Sequence, residues 1–586
     1  MHTDNRFNVI TAIAALMLIM AACVPTTPSP TSAPAQPAAQ PTAATAGQPA
    51  ERAPAVSTGP RRGGTLRIGL SQEPIVLNPI MGSQTVNSIV STNMLEGLLY
   101  VGADGAYHPG IAAEVPSPAN GGVSADGLTI TWKLKPGVLW SDGKPVTSED
   151  VVFTYRVFTE PQNPIPIRVG YSEIESVTAP DSQTVVVKYK RLYAPFREHL
   201  SPVLPAHVLG GNPLIDKLDF NRAPVGTGPF RFVNWASGDS ITLERNPHFR
   251  DAGKPYLDSV IFKIVPSREA AIQAYKVGEI DILWNLAESN IPEFEAIADS
   301  VIQPKPSPRV ERLILNASCP SGPQQGDPAC PHPVLGDLKV RQAIELAIDK
   351  QAIVDKLLFG KTTVATSVIP LGWFAPTLQS VAQNPARAKQ LMDDAGWQTG
   401  ADGVRLKNGV RASLEFGTTT GDRLREQTQQ VIQEQLRDIG IAVEIKNSPS
   451  AVLLGGWQDS APRARGNFDM LMWTTNVDGL EPQAHLDSYF RSGQIPTEQA
   501  RSGRNYHRIT NPLIDESLAR GGGTLDEAQR RAAYETVAEQ VNADKGHIVL
   551  FNRLLIDAYK KHVKGWEANV YDNNLAWDSE SWWVDR

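Results

Sequence analysis

The stretch FDMLMWTTNVDGLEPQAHLDSYF places polar groups where a sheet would present them to a ligand. A strand-like apolar run from Phe468 to Trp473 gives way to Thr475, Asn476, Val477, Asp478 and Gly479, which are polar and turn-prone. Polar side chains at the end of a buried strand are where an α/β sheet exposes groups to a cleft. Glu481 precedes Pro482 and reads as structural. A second candidate is the cysteine pair Cys319 and Cys330 in NASCPSGPQQGDPACPHP, a loop rich in Pro, Gly and Gln. In an exported chain such a pair reads as a disulfide. Zinc would need two more ligands, and only His332 is close. Catalytic signatures are missing: there is no HExxH, no GxSxG elbow and no CxxC pair. The 10 histidines are scattered. Gly226 and Gly228 in GTGPF are not followed by Lys-Ser/Thr, so they read as turn glycines and not as a phosphate cradle. No catalytic residue, cofactor or metal is expected, and a secreted hydrolase is the lesser reading.

The rest of the chain must position those groups. An apolar run from Val9 to Ala22 follows a polar start containing Arg6. It is too short to span a bilayer, which needs about 20 apolar residues, and reads as a secretory signal over 1–22. Ala21-Ala22-Cys23 resembles a bacterial lipobox, with Met20 where Leu is usual, so Cys23 is the expected lipidation site. A plain signal peptide with an incidental cysteine is the alternative. The segment 23–60 is rich in Pro, Ala and Thr, has no aromatic residue and cannot bury enough apolar surface to fold. It reads as a disordered, extended tether.

Beyond the tether the composition is that of a soluble globular protein, 41% hydrophobic and 20% charged. A net charge of −7 argues against a nucleic-acid partner. GGTLRIGL, LTITWKLKPGVLW, TVVVKY and SVIFKIV read as strands bounded by turn signals. DLKVRQAIELAIDKQAIVDKLLFG reads as one or two helices stopped by Gly360. NPARAKQLMDDAGW has Asn384 as N-cap, Pro385 in the first turn and Gly396 beyond the end. LREQTQQVIQEQLRDIGIAVEI is an amphipathic helix, a Gly440 stop and a strand. TLDEAQRRAAYETVAEQV opens with a capping box from Thr524 to Glu527. Strands dominate early and α/β alternation dominates late, which predicts an α/β protein of at least two lobes.

Several of these segments together resemble the family 5 extracellular solute-binding proteins of ABC importers, the group of oligopeptide- and dipeptide-binding proteins. The likeness runs from about Gly63 to the C-terminus. Its most specific part is WKLKPGVLWSDGKPVTSEDVVFTY; LNPIMGSQTVNSIVSTNMLEGLL, GTGPFRFVNWASGDSITLERNPHF, VGEIDIL and LKVRQAIELAIDK fall in family order. The resemblance implies a two-lobed periplasmic-binding-protein-like fold (type II, cluster C) with an extra N-terminal subdomain and mixed β-sheets. It implies lobe one at 61–306 with the insert, lobe two at 307–509, and a return to lobe one at 510–586. Ligand would be enclosed between the lobes by hinge closure. The chain would be an extracytoplasmic, monomeric lipoprotein on the outer face of the cytoplasmic membrane, delivering solute to ABC permease subunits.

The resemblance also implies ligand-binding roles. Asp478 falls on the position where peptide binders pair an Asp with the ligand's α-ammonium group; a turn or cap Asp is the alternative. Thr475 and Asn476 stand in the same segment. On the opposite lobe Ser83, Gln84 and Thr85 match a cleft-lining loop. Trp473 and Trp373 are candidates for apolar or stacking surface, or for core. The same fold serves peptides, oligosaccharides and nickel chelates. Asp478 favours a peptide, with an oligosaccharide as the alternative.

Overall fold

Alternation of apolar residues builds one ten-stranded mixed sheet that organises the chain. Its strands are β1 (Thr65–Leu70), β2 (Phe230–Ala236), β3 (Ser240–Arg245), β4 (Ser259–Ile264), β5 (Ile282–Leu283), β6 (Ser300–Leu315), β7 (Ser413–Gly417), β8 (Ala442–Ile445), β9 (Met470–Asn476) and β10 (His547–Lys560). They lie in the order β8-β7-β9-β6-β10-β5-β1-β4-β3-β2. The computed structural model describes residues 59–586 except 83, 166–167, 266, 477–479, 499–500, 502, 572–575 and 586. The signal segment, Cys23, nearly all of the tether, Ser83 and Asp478 lie outside the described residues, as does the side chain of Asn476.

The central pair, β6 and β10, joins two lobes. Ser300–Pro306 pairs with Leu554–Lys560, and Val310–Ile314 pairs with His547–Asn552, with a register break between. Pro304 and Pro306 explain where the second neighbour starts. They share one parity of the strand, and a proline has no N–H to give a ladder, so it tolerates only a free edge on that side. β9 accordingly joins β6 from Arg309 onward and not before. At the break, Ser307 Oγ donates to the Arg553 carbonyl at 2.8 Å and accepts from Arg309 N at 3.3 Å.

Lobe one has a core running from Leu66 through Trp132, Trp140 and Phe262 to Trp566, Trp582 and Val584. It includes the extra subdomain, whose antiparallel sheet is Thr129–Lys133, Ile174–Asp181 and Thr184–Tyr189. Lobe two has a core on each face of its sheet. One holds Leu313, Met470, Met472 and Ile432; the other holds Val310, Ile314, Leu471, Trp473 and Val549. The helices α1 (Arg423–Asp438), α2 (Gln483–Phe490), α3 (Pro512–Gly522) and α4 (Glu527–Asp544) all serve lobe two. Ile514, Leu518, Tyr534 and Val537 of α3 and α4 pack with Phe468 and Trp473, so the return to lobe one follows α4 and does not precede α3.

Two local expectations change. The N-cap of α4 is Asp526, accepting from Gln529 N, and not Thr524. Gly226 and Gly228 are required by close approach and not by turn conformation: a Cβ there would sit 1.9 Å from the Met94 carbonyl oxygen and 2.6 Å from that of Asn93. Cys319 and Cys330 are disulfide-bonded, with Cα atoms 5.5 Å apart.

Candidate functional site: the interlobe hinge pocket

Where β6 and β10 cross between lobes, a cavity of about 290 Å³ opens, lined by Asn285, Glu288, Arg309, Asp422, Arg425, Thr474 and Arg553 among others. A second cavity of about 420 Å³ shares Asn285, Glu288, Asp422 and Arg553 with it. The anchor is Glu311, fully buried on β6. Arg425 Nε, in the first turn of α1, donates to it at 2.9 Å, and Arg553 Nη1 donates at 2.9 Å. Thr474 Oγ1 donates at 2.7 Å while accepting from Arg425 Nη2. Arg553 also forms a two-point pair with Glu288, at 2.7 and 3.1 Å. Asp422 caps α1 by accepting from Arg425 N and lies 3.8 Å from Arg553. Burial works against the Arg553 charge, but Glu311 and Glu288 outweigh it and hold its pKa above the ordinary value. Nearby Asp557 is buried, accepts from Asn285 N at 3.1 Å, and is pushed up to about 6 by that burial.

This arrangement presents charged and hydrogen-bonding groups at the joint between the lobes. Its donors and acceptors come from the segment after β5 (Asn285, Glu288), from strands β6, β9 and β10 and from the start of α1, and Glu288 and Glu311 are paired with guanidinium. No aromatic side chain lines either cavity among the described residues. The lobes also meet away from the hinge. Leu525 of lobe two packs against the lobe-one core. Glu198 of lobe one, which accepts from Tyr107 Oη at 3.5 Å, faces Glu481 of lobe two. Enclosure between the lobes and the Glu481 charge raise the Glu198 carboxyl, although water reaches that side chain and tempers the rise. Burial also raises Glu481, against the Arg530 guanidinium that holds it from both nitrogens.

The residues singled out in sequence scatter over three places. Thr475 is on the lobe-two segment expected, but one residue out of phase with the pocket wall. Successive side chains on a strand face opposite ways, so Thr474 reaches the hinge pocket while buried Thr475 faces the other core. Trp473 is a core residue, 3% exposed, with Tyr506 edge-on at 5.8 Å. Half-buried Trp373 donates its indole N–H to the Leu480 carbonyl at 2.8 Å and so braces the chain just after residue 479. Gln84 and Thr85 line a separate cavity of about 580 Å³ within lobe one, with Tyr100, Lys135, Arg250 and Trp577. The structure does not bring them to the hinge pocket. Sequence reading missed Arg309, Glu311, Arg425, Thr474 and Arg553. For Glu311 and Arg553 the signal was a charge inside an otherwise apolar strand, as in VERLIL and FNRLLI, where burial demands a partner.

Comparison with known proteins agrees with this architecture. The family model for bacterial extracellular solute-binding proteins, family 5 Middle, matches residues 106–497. The oligopeptide-binding protein AppA of Bacillus subtilis is 28% identical over 545 residues, covering 90% of this chain and 93% of that protein. Its structure with a nonapeptide has a TM-score of 0.67 at 25% identity, covering 90% of this chain and 100% of that one. NikZ from Campylobacter jejuni, in complex with Ni(L-His), has a TM-score of 0.71 at 25% identity, covering 88% and 99%. The chain belongs to the bacterial extracellular solute-binding proteins, family 5.

Proposed function

We propose that this chain captures peptides between its lobes by hinge closure and delivers them to the permease of an ABC importer. The observation that carries this reading is the hinge pocket, which offers charged and hydrogen-bonding groups from both lobes and lacks a stacking surface among the described residues. Peptide main chain is held by groups of this kind, whereas an oligosaccharide would call for aromatic stacking. AppA supports the same class of ligand. In this reading Asp478, with Asn476, receives the peptide amine on lobe two, and Ser83 serves from lobe one, whereas Thr475 is turned to the other core and Gln84 and Thr85 line the separate lobe-one cavity. Lobe two runs from Ser307 to Arg553, where the Ser307 hydroxyl donates to the Arg553 carbonyl at the register break. Cys23 carries the lipid anchor that keeps the monomer on the outer face of the cytoplasmic membrane, and the chain turns over no substrate. A metal chelate is the second reading, favoured by NikZ.

Native mass spectrometry of the undenatured protein, followed by ligand extraction, tests the reading. The expected result is one peptide per chain, recovered chemically unchanged, with a smaller radius of gyration in the bound form. Recovery of a metal chelate would move the assignment to the second reading. Turnover lost on a single pocket substitution would overturn both.

A further inference from the structure

Buried polar groups in folded proteins nearly always have partners, and a buried guanidinium without an anion is expensive. Lobe two holds such a guanidinium. Arg312 lies in mid-β6, 1% exposed, opposite Trp473 on β9 and Val549 on β10. Its Nε and Nη2 have no hydrogen-bond partner among the described residues. Adjacent Glu311 cannot serve, because it faces the other side of the strand, where Arg425 and Arg553 hold it.

Other unpartnered or uncompensated groups gather on the Arg312 face. Thr475 pairs with Val310, two residues along β6 on the same face, and its buried hydroxyl has no partner. His485 on α2 has a buried Nε2 with no partner. Its ring stacks on Tyr489 at 4.6 Å, and the Arg312 guanidinium sits 4.9 Å from that same ring. Arg504 is 5.8 Å from Tyr489, and Arg463 is 5.1 Å from Tyr506, whose ring lies 6.2 Å from Tyr489. All three guanidiniums act on the Tyr506 phenol. Among the described residues none of the three has a carboxylate within ion-pairing distance; Arg463 donates to the Leu454 and Gly455 carbonyls and Arg504 reaches solvent, which leaves Arg312 as the buried one with unpartnered nitrogens. Burial, then Arg312 and Arg504, push His485 down to about 3, so it adds no charge of its own near neutrality.

We propose that lobe two contains an anion site, centred on Arg312 and bordered by Arg463, Arg504 and His485, that takes one negatively charged group. That group is a resident halide ion or the side-chain carboxylate of an acidic solute. Anion entry supplies the counter-charge that the surrounding residues do not, and it satisfies the unpartnered nitrogens of Arg312.

The test uses the full exported chain, dialysed into chloride-free buffer. In the first arm the thermal midpoint is followed against sodium chloride with Arg312→Met beside wild type, so that the general ionic-strength effect common to both proteins cancels. A saturable, chloride-dependent rise that the variant lacks, with a bromide anomalous peak beside Arg312 in soaked wild-type crystals, identifies a halide. In the second arm, which rests on the peptide reading, calorimetry compares Ala-Glu with Ala-Gln. An at least tenfold preference for Ala-Glu that Arg312→Met abolishes identifies a solute carboxylate. If neither peptide binds, the peptide reading has failed, and the chloride arm decides the anion site by itself. Should Arg312→Met not fold, Arg312→Lys takes its place, and the bromide map on wild type stands unaffected. Absence of both responses, or responses equal in wild type and variant, overturns the proposal.

Discussion

Glu311 carries more of the hinge pocket than any other single side chain: two guanidiniums and a hydroxyl converge on its two oxygens. Glu311→Gln leaves Arg425 and Arg553 short of counter-charge in a place water reaches poorly. Breaking a buried pair from one side costs about 3–5 kcal/mol, and the expected outcome is a loss of that size in a denaturant titration. A change under about 1 kcal/mol would mean that Glu288 and Asp422 suffice without it. The proposed amine contact gives a second prediction. Truncating one partner of a desolvated charge pair costs about 2–5 kcal/mol, so Asp478→Asn weakens a free-amine peptide by roughly thirtyfold to several thousandfold. An N-acetylated peptide, having no amine charge, binds both proteins alike. Calorimetry with both peptides checks this, and equal affinities throughout would make Asp478 a turn residue. The sequence singles out Asp478 because a polar cluster at a strand end stands out locally. Arg425 and Arg553 were not legible, because their partner Glu311 lies 114 and 242 residues away.

At the scale of elements, periodicity and caps were legible wherever the signal is local. Asn384 caps its helix through Arg387 N, and Gly396 follows at φ +83°, the left-handed region that favours glycine. α1 ends at Asp438, with Gly440 at φ +88° before β8. The strand that matters most, β6, was not legible, because Pro304, Pro306 and Pro308 punctuate it and proline argues against a central strand. Only the neighbouring β10, more than two hundred residues on, shows that this stretch is an edge over part of its length. The disulfide is a local feature too. It closes a short loop, so the chain-entropy account assigns it about 2–3 kcal/mol. Reduction should lower the thermal midpoint modestly and leave peptide affinity unchanged within about twofold; a collapse of binding would tie the loop to the cleft.

Across the whole molecule, buried histidines set the response to acid. Burial, then neighbouring arginines, hold His485 and His507 down to about 3, and burial holds His199 down to about 4. A histidine whose folded pKa is depressed contributes stability above its unfolded pKa of about 6.5, lost as pH falls toward the folded value. Asp557, raised to about 6, works in the opposite sense, since the folded chain holds its proton more tightly than the unfolded chain does. The histidine part is isolated by comparing wild type with His507→Gln between pH 7 and pH 4. Wild type should lose up to about 1.4 kcal/mol per pH unit relative to the variant below about 6.5. Parallel curves would show that His507 titrates normally in the fold.

The position of the register break has a consequence for the order in which the chain becomes a protein. Lobe one cannot complete its core until Trp566, Trp582 and Val584 arrive, and these are made after the whole of lobe two. With lobe two bounded as proposed, it is an excursion that leaves and returns where the Ser307 hydroxyl meets the Arg553 carbonyl. Its interior is therefore finished while the N-terminal half still waits for its closing residues. Since domains generally fold as units during synthesis and export, the middle of this chain should mature before its beginning. A chain stopped after Lys560 should keep a protease-resistant fragment from lobe two while lobe one is digested.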